Sequence, residues 1–164
     1  VRKKDSTATV GFDAYFYPLD VANNWNRLYG SRGFAQYQFV IPMEGANEGM
    51  ERILKEIVAS GESSFLAVLK LFGEQNEGWL SFPKRGLQLA LDFPINEKSL
   101  ALMNRLDDMV MEMDGRSYLA KDSRMKQGFF EASYPKLEQF KVLKSEIDPK
   151  CKFRSLQSDR LGIT

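Results

Sequence analysis

Chemistry in this chain has to be sought among lysines, amides and aromatic rings. There is no histidine, so the commonest general base and the commonest metal ligand are both missing. Cys151 is the only cysteine, which excludes an internal disulfide and a cysteine metal cluster. The stretch that stands out is Arg116-Ser117-Tyr118-Leu119-Ala120-Lys121-Asp122-Ser123-Arg124-Met125. A short apolar run ends in Lys121. Asp122 and Ser123 then occupy the place of a helix N-cap, ahead of Phe129, Phe130 and Ala132, and Pro135 ends the pattern. A lysine at a strand-to-helix junction is held by rigid backbone and exposed at its end. That placement suits a catalytic or cofactor-contacting cation. The competing reading is an ordinary surface lysine.

The elements that must hold these residues follow from hydrophobic period. Residues 34–42 alternate with period two and predict a strand ended by Pro42. Residues 44–60 predict a helix with Met50, Ile53, Leu54, Ile57 and Val58 on one stripe and Gly61 just past its end. Strands are predicted at 65–73 and 87–94, joined by a turn-rich connection in which Trp79 and Phe82 are partly anchored. A second helix, 97–113, carries Leu102, Met103, Leu106, Met109, Val110 and Met113. A fourth strand at 116–120 precedes helices near 124–133 and 136–146, with a last helical turn within 153–161. The order strand, helix, strand, strand, helix, strand predicts an α+β fold. It is the ferredoxin-like split βαβ, a four-stranded antiparallel sheet with two helices on one face, plus C-terminal helices. Residues 1–33 are aromatic-rich without a clean period and read as a lid or docking segment, with a short strand conceivable in 1–10. The expected layout is this segment, a ferredoxin-like domain at 34–122 and a helical extension at 123–164.

Alternation sorts the sheet into two faces. Tyr37, Phe39, Ile41, Phe65, Leu69, Leu71, Leu89, Leu91 and Phe93 must pack on the helices. Gln36, Gln38, Lys70, Phe72, Gln88 and Ala90 then share the opposite face with Val40, Leu66 and Val68. Amide donors, a cation and a ring among apolar neighbours make a hydrogen-bonding wall rather than a charged wet face. Such a wall fits a ligand site shared with another domain.

Other chemistry is excluded. The formal net charge of +1 gives no footprint for nucleic acid. No apolar run reaches membrane-span length and no signal peptide is seen, so a cytoplasmic address is expected. GxGxxG, P-loop and GxSxG motifs are absent. Asp107-Asp108 and Glu112 read as a helix exterior. The chain opens Val1-Arg2-Lys3-Lys4 and its first methionine is Met43, as expected of a piece of a longer protein.

Seven runs taken together carry a resemblance. They are Phe16-Tyr17-Pro18-Leu19-Asp20, Trp25-Asn26-Arg27-Leu28-Tyr29-Gly30, Gln36-Tyr37-Gln38-Phe39-Val40-Ile41-Pro42, Lys70-Leu71-Phe72-Gly73, Leu80-Ser81-Phe82-Pro83, Asp92-Phe93-Pro94 and Tyr118-Leu119-Ala120-Lys121-Asp122-Ser123-Arg124. In order and over nearly the whole chain they resemble the C-terminal half of the decaprenylphosphoryl-ribose oxidase family, FAD-linked oxidases of the vanillyl-alcohol oxidase type. The resemblance implies an N-terminal FAD-binding domain outside these residues, with this part capping the flavin ring and forming the sugar pocket.

By position Lys121 resembles the family lysine at flavin and substrate, and Tyr118 the pocket tyrosine of the same run. Lys70, Phe72, Gln36 and Gln38 match pocket positions. Gln88 stands where members carry Asn, and Ala90 where some carry Cys. Those departures bear on the polar contacts to substrate and on any thiol reactivity. Residues 15–30 resemble a loop that covers the site. The implied activity is oxidation of a secondary sugar hydroxyl, with hydride passing to FAD, and the substrate is sugar-type or lipid-linked. Lys121 would stabilise the negative charge that hydride leaves on the ring. The base would come from the other domain, from Tyr118 or from a lysine here. No metal is implied, the 164 residues alone are expected to be inactive, and the substrate offers a route to membrane association. An aldonolactone oxidase-type domain ranks lower, because its His-Trp-Gly-Lys run needs a histidine. A non-catalytic ferredoxin-like ligand-binding module is the alternative of a different class.

Overall fold

The computed structural model describes residues 7–21 and 23–163, in two compact units that divide between Gly33 and Phe34. The first unit holds a short helix, α1 (Phe12–Phe16), and 3-10 turns at Pro18–Val21 and Trp25–Tyr29. Ring centroids of Phe12 and Phe16 lie 4.6 Å apart, and Tyr15 and Tyr17 extend the cluster, yet all four rings stay largely exposed. Residues 7–10 form no strand, and the rest of that expected strand falls outside the described residues.

The second unit runs β1 (Phe34–Pro42), α2 (Ala46–Ser60), β2 (Ala67–Phe72), β3 (Gly86–Pro94), α3 (Glu97–Glu112) and β4 (Arg116–Ser117). A 3-10 turn at Leu119–Lys121 leads to α4 (Gln127–Ser133), α5 (Leu137–Ile147) and α6 (Leu156–Arg160). The strands pair antiparallel in the order β2-β3-β1-β4. This is the ferredoxin-like split βαβ arrangement, extended by C-terminal helices.

Period-two burial builds the core. Tyr37, Phe39 and Ile41 of β1 and Leu89, Leu91 and Phe93 of β3 meet Met50, Ile53 and Ile57 of α2 and Leu102, Met103, Leu106 and Val110 of α3. Phe129, Phe130, Tyr134, Leu137 and Leu161 join the same core, so the C-terminal helices are built into the domain. α3 starts on a capping box, in which the Asn96 side chain accepts from the Ser99 backbone and the Ser99 hydroxyl from the Asn96 backbone. Gly86 begins β3 directly opposite Pro42, and a Cβ there would fall on the backbone carbonyl of Ile41. Gly86→Ala is expected to destabilise the domain by about 3 kcal/mol or more, because backbone rather than a flexible side chain must give way. Urea unfolding checks this, and a loss below about 0.5 kcal/mol would mean that β1 and β3 pair more loosely here.

Several expectations change on contact with the structure. Leu69 and Leu71 do point to the helix side, opposite Leu89 and Leu87, but they are 60% and 71% exposed. Phe65 precedes β2 and is also exposed. β2 is the outermost strand and α2 packs over β1 and β3, so the sheet extends beyond the helix flank. Leu54 and Val58 of the predicted α2 stripe look out over the same step, and an open groove of about 560 Å³ lies between them and Leu69. β4 is two residues long rather than five, so Lys121 ends a 3-10 turn and not a strand. No helix starts at Asp122-Ser123, since α4 begins at Gln127. Asp107 is buried rather than on the helix exterior, for a reason that belongs to the site.

Candidate functional site

The shortness of β4 creates the site. Its pairing with β1 covers only Phe39–Ser117 and Val40–Arg116. Tyr118 adds one more bond, its backbone N–H donating to the Gln38 carbonyl at 2.8 Å, and the chain then turns away. A cleft opens between the first half of β1 and residues 117–125, and Gln36, Gln38, Tyr118 and Lys121 all line it. Its free volume is about 10 Å³, at the lower limit for one water, so it admits a hydroxyl-sized group rather than a whole sugar. Lys121 is exposed at this cleft and forms no ion pair or side-chain hydrogen bond with any described residue.

The residues just after Lys121 are tied down from two sides. Oδ1 of Asp122 accepts from the backbone N–H groups of Arg124 and Met125 at 2.9 and 2.6 Å. Its Oδ2 accepts from Nη2 of Arg160 at 2.7 Å, and Nε2 of Gln157 donates to the Leu119 carbonyl at 2.7 Å. Arg124 turns inward and forks onto Asp107, with both bonds at 2.8 Å, and donates to the Met103 carbonyl. The Tyr37 hydroxyl donates to Asp107 at 3.0 Å, and the Arg124 guanidinium lies over the Tyr37 ring, 5.5 Å from its centroid. That network is why Asp107 faces the interior.

Burial raises the Tyr37 hydroxyl well above its ordinary value, and the Asp107 charge adds to the shift, so Tyr37 stays a donor at neutral pH. Burial likewise pushes Asp107 upward against the pull of Arg124. Asp122 goes the other way. Burial alone would raise it, but hydrogen bonds from Arg160, from the Met125 and Arg124 backbone and from Gln157 outweigh that, and its carboxyl titrates below the ordinary range. A depressed carboxyl lends stability that is fully present above the unfolded value, about 3.9, and is lost as pH falls through the folded value. Acidification from about pH 5 should therefore weaken the domain, and less so in Asp122→Asn. Equal acid slopes in thermal melts of the two proteins would contradict this assignment.

The sheet face opposite the helices carries the remaining candidates. Val40, Gln88 and Lys70 sit in one cross-strand row, and Gln38, Ala90 and Val68 in the next. Gln36 lies opposite Asp92 and donates to its carboxylate at 2.8 Å, which leaves one amide N–H for a ligand. Phe72 meets Phe82 edge-on at 5.7 Å, and Phe82 stacks on Tyr118 at 4.6 Å. Phe82 thus reaches from the β2 edge to the far side of β1, and its segment lies across the face. Nη1 of Arg116 ties that segment down through the Ser81 carbonyl at 2.8 Å. Gln88 and Val40 in the row beneath are fully buried, and the Gln88 amide has no hydrogen-bond partner among the described residues.

The eight candidates therefore fall into groups. Gln36, Gln38, Tyr118 and Lys121 share the cleft, with Ala90 beside Gln38. Lys70 is exposed one row further on, and Phe72 closes the aromatic row. Gln88 is on the right face but beneath cover. Sequence reasoning missed Asp122, Arg124, Asp107, Gln157 and Arg160. The Asp-x-Arg spacing after Lys121 was in view, but nothing in it told a cap from an ion-pair anchor.

A family model described as D-arabinono-1,4-lactone oxidase matches residues 34–161, which is the second unit almost entire. The chain belongs to that family. It is 43% identical over 149 residues to a decaprenylphosphoryl-beta-D-ribose oxidase of Mycolicibacterium smegmatis, covering 91% of this chain and 32% of that protein. An uncharacterised protein of Streptomyces coelicolor is 33% identical over 146 residues, 88% of this chain and 40% of its own length. The matched residues thus span 32% and 40% of the length of these relatives. The D-arabinono-1,4-lactone oxidase match takes in the cleft and all its clamps, from Gln36 to Arg160. Of a flavin, this cleft could meet only a polar edge of the ring, since its free volume of about 10 Å³ is far too small to hold the ring itself. An unpaired ammonium beside amides suits a polar ring edge, whereas the sequence has no Gly-rich loop to cradle the phosphates.

Proposed function

We propose that residues 34–163 form the substrate domain of an FAD-dependent oxidoreductase that oxidises a secondary hydroxyl of a lipid-linked sugar. The observation that carries this reading is the cleft itself. An unpaired Lys121 stands at the mouth of a hydroxyl-sized cleft walled by Gln36, Gln38 and Tyr118, while its flanks are clamped. Residues held that way are preorganised, as a reacting site requires. The similarity to a decaprenylphosphoryl-beta-D-ribose oxidase supports this substrate class.

The bound flavin would supply hydride acceptance, and its phosphates would be held by another domain of the full-length protein. The residues of this chain bind and orient. Lys121 places positive charge where negative charge develops. Gln38 and the remaining donor of Gln36 hold sugar hydroxyls. The Tyr118 ring, backed by Phe82, gives the sugar a flat surface. Lys70, exposed and without an ion-pair partner among the described residues, offers a cation to an anionic linkage. Ala90 presents a methyl group beside Gln38, so no thiol lies on that wall. No helix among the described residues is long and apolar enough to cross a membrane, and membrane association would come through the substrate.

The family description names a lactone and the named relative a lipid-linked sugar, and one experiment separates them. The full-length protein is mixed without oxygen with a polyprenyl-phosphate-linked ribose or with arabinono-1,4-lactone, and flavin absorbance is followed. Bleaching by the lipid-linked sugar is expected. Bleaching by the lactone alone would transfer the chain to the lactone chemistry, and bleaching by neither would remove both. Residues 1–164 by themselves should purify colourless, since their sequence has no Gly-rich loop of the kind that cradles phosphates.

A further inference from the structure

The C-terminal helix reaches back across more than thirty residues of sequence to the turn that carries Lys121. Gln157 donates to the Leu119 carbonyl, and its Nε2 also lies 3.2 Å from the Asp122 carbonyl. Arg160 holds the Asp122 carboxylate and bonds the Met125 carbonyl. Two side chains of α6 thus bracket Lys121 on both sides in sequence, at 119 and at 122 and 125. Their grip is on backbone and on a nearly buried carboxylate, so it fixes the course of the chain rather than a side-chain rotamer. α6 in turn is fixed by its own capping box at Ser155 and Ser158 and by Leu161, which is fully buried in the core. The Lys121 side chain itself makes no hydrogen bond or ion pair with any of these described residues.

We infer that Gln157 and Arg160 are positioning residues that set where the Lys121 ammonium stands at the cleft, acting through the 119–125 backbone. The inference rests on the reading of Lys121 as the cation beside the flavin. A turn of three residues has few internal bonds of its own. Without the brace it keeps its own backbone bonds, the Asp122 bonds to the Arg124 and Met125 backbone and the Arg124 anchor, but no tie from the turn to α6, and an ångström of drift at a reacting centre costs roughly 10²-fold in rate.

The test uses the flavin-loaded full-length protein with Gln157→Leu, Arg160→Ala, Arg160→Lys and Lys121→Met. Three readouts are taken: hydrogen exchange of the 118–125 peptide, the flavin midpoint potential, and the rate of flavin reduction by substrate. Gln157→Leu and Arg160→Ala should loosen exchange at 118–125, lower the potential in the direction of Lys121→Met, and slow reduction by roughly 10-fold or more. Arg160→Lys should recover part of each. In the Lys121→Met background the α6 variants should add nothing to the potential or the rate, because their effect passes through that ammonium.

A merely structural role would loosen exchange and leave the potential where it was, and that result overturns the inference. If Lys121→Met itself leaves the potential and rate unchanged, the reading of Lys121 falls and not the brace alone. Should Arg160→Ala fail to fold, Gln157→Leu decides, since it removes one amide donor and leaves the Arg160–Asp122 pair in place.

Discussion

Lys121→Met in the full-length protein is expected to slow flavin reduction by about 10²-fold or more, a loss of a few kcal/mol of transition-state stabilisation. Methionine keeps the length of the side chain and removes its charge. The ammonium is unpaired and exposed in this domain, so no buried partner is stranded by the change. Folding should therefore hardly respond, with melting within the range of an ordinary surface substitution. Stopped-flow mixing with substrate separates the chemical step from product release. A well-folded variant that reduces its flavin at the normal rate would return Lys121 to the status of a surface lysine.

The opposite pattern is expected three residues later. Arg124→Met should cost about 3–5 kcal/mol of folding stability, because it strands a buried carboxylate. The Arg124 and Asp107 side chains are only 14% and 6% exposed, so solvent screens the pair little. Asp107 already titrates above its ordinary value through burial, and loss of Arg124 removes what opposes that shift. The sign follows. A raised carboxyl is tolerated while protonated, below the unfolded value near about 4, and destabilises as pH rises through the folded value. The deficit of Arg124→Met should thus grow from acid toward neutral pH, and adding Asp107→Asn should recover part of it. Urea titrations at two pH values check both statements. A loss under about 1 kcal/mol, flat with pH, would mark the pair as one that contributes like a surface bridge.

These contrasts show what the sequence could and could not disclose. β1 and β3 are central strands buried on the helix side, so alternation alone placed Tyr37, Phe39, Leu89 and Leu91 correctly. The same alternation in β2 named the correct side but not its exposure, because an edge strand obeys period two whether or not a helix covers it. Asp107 read as exterior since a stripe count weighs apolar residues, and a buried carboxylate announces itself only through its partner. Arg124 lies seventeen residues away, and no local pattern joins the two. The Lys121 run stands out through family resemblance, while the bonds that hold its backbone do not. Asp122 has the chemistry of an N-cap and makes the same kind of backbone bonds, but around a bend that ends before α4 starts at Gln127. Gln88 was assigned to the correct face by register, and the segment carrying Phe82, which runs between Phe72 and Tyr118 on that face, is a connection whose path no periodicity predicts.

The most direct measurement is a crystal structure of the full-length, flavin-loaded protein with a substrate analogue bound. The Lys121 ammonium should lie within hydrogen-bond reach, about 3 Å, of the flavin ring or the reacting hydroxyl, with Gln38 on the sugar. A structure that leaves Lys121 in open solvent, with the sugar held away from the Gln36–Tyr118 cleft, would contradict the account.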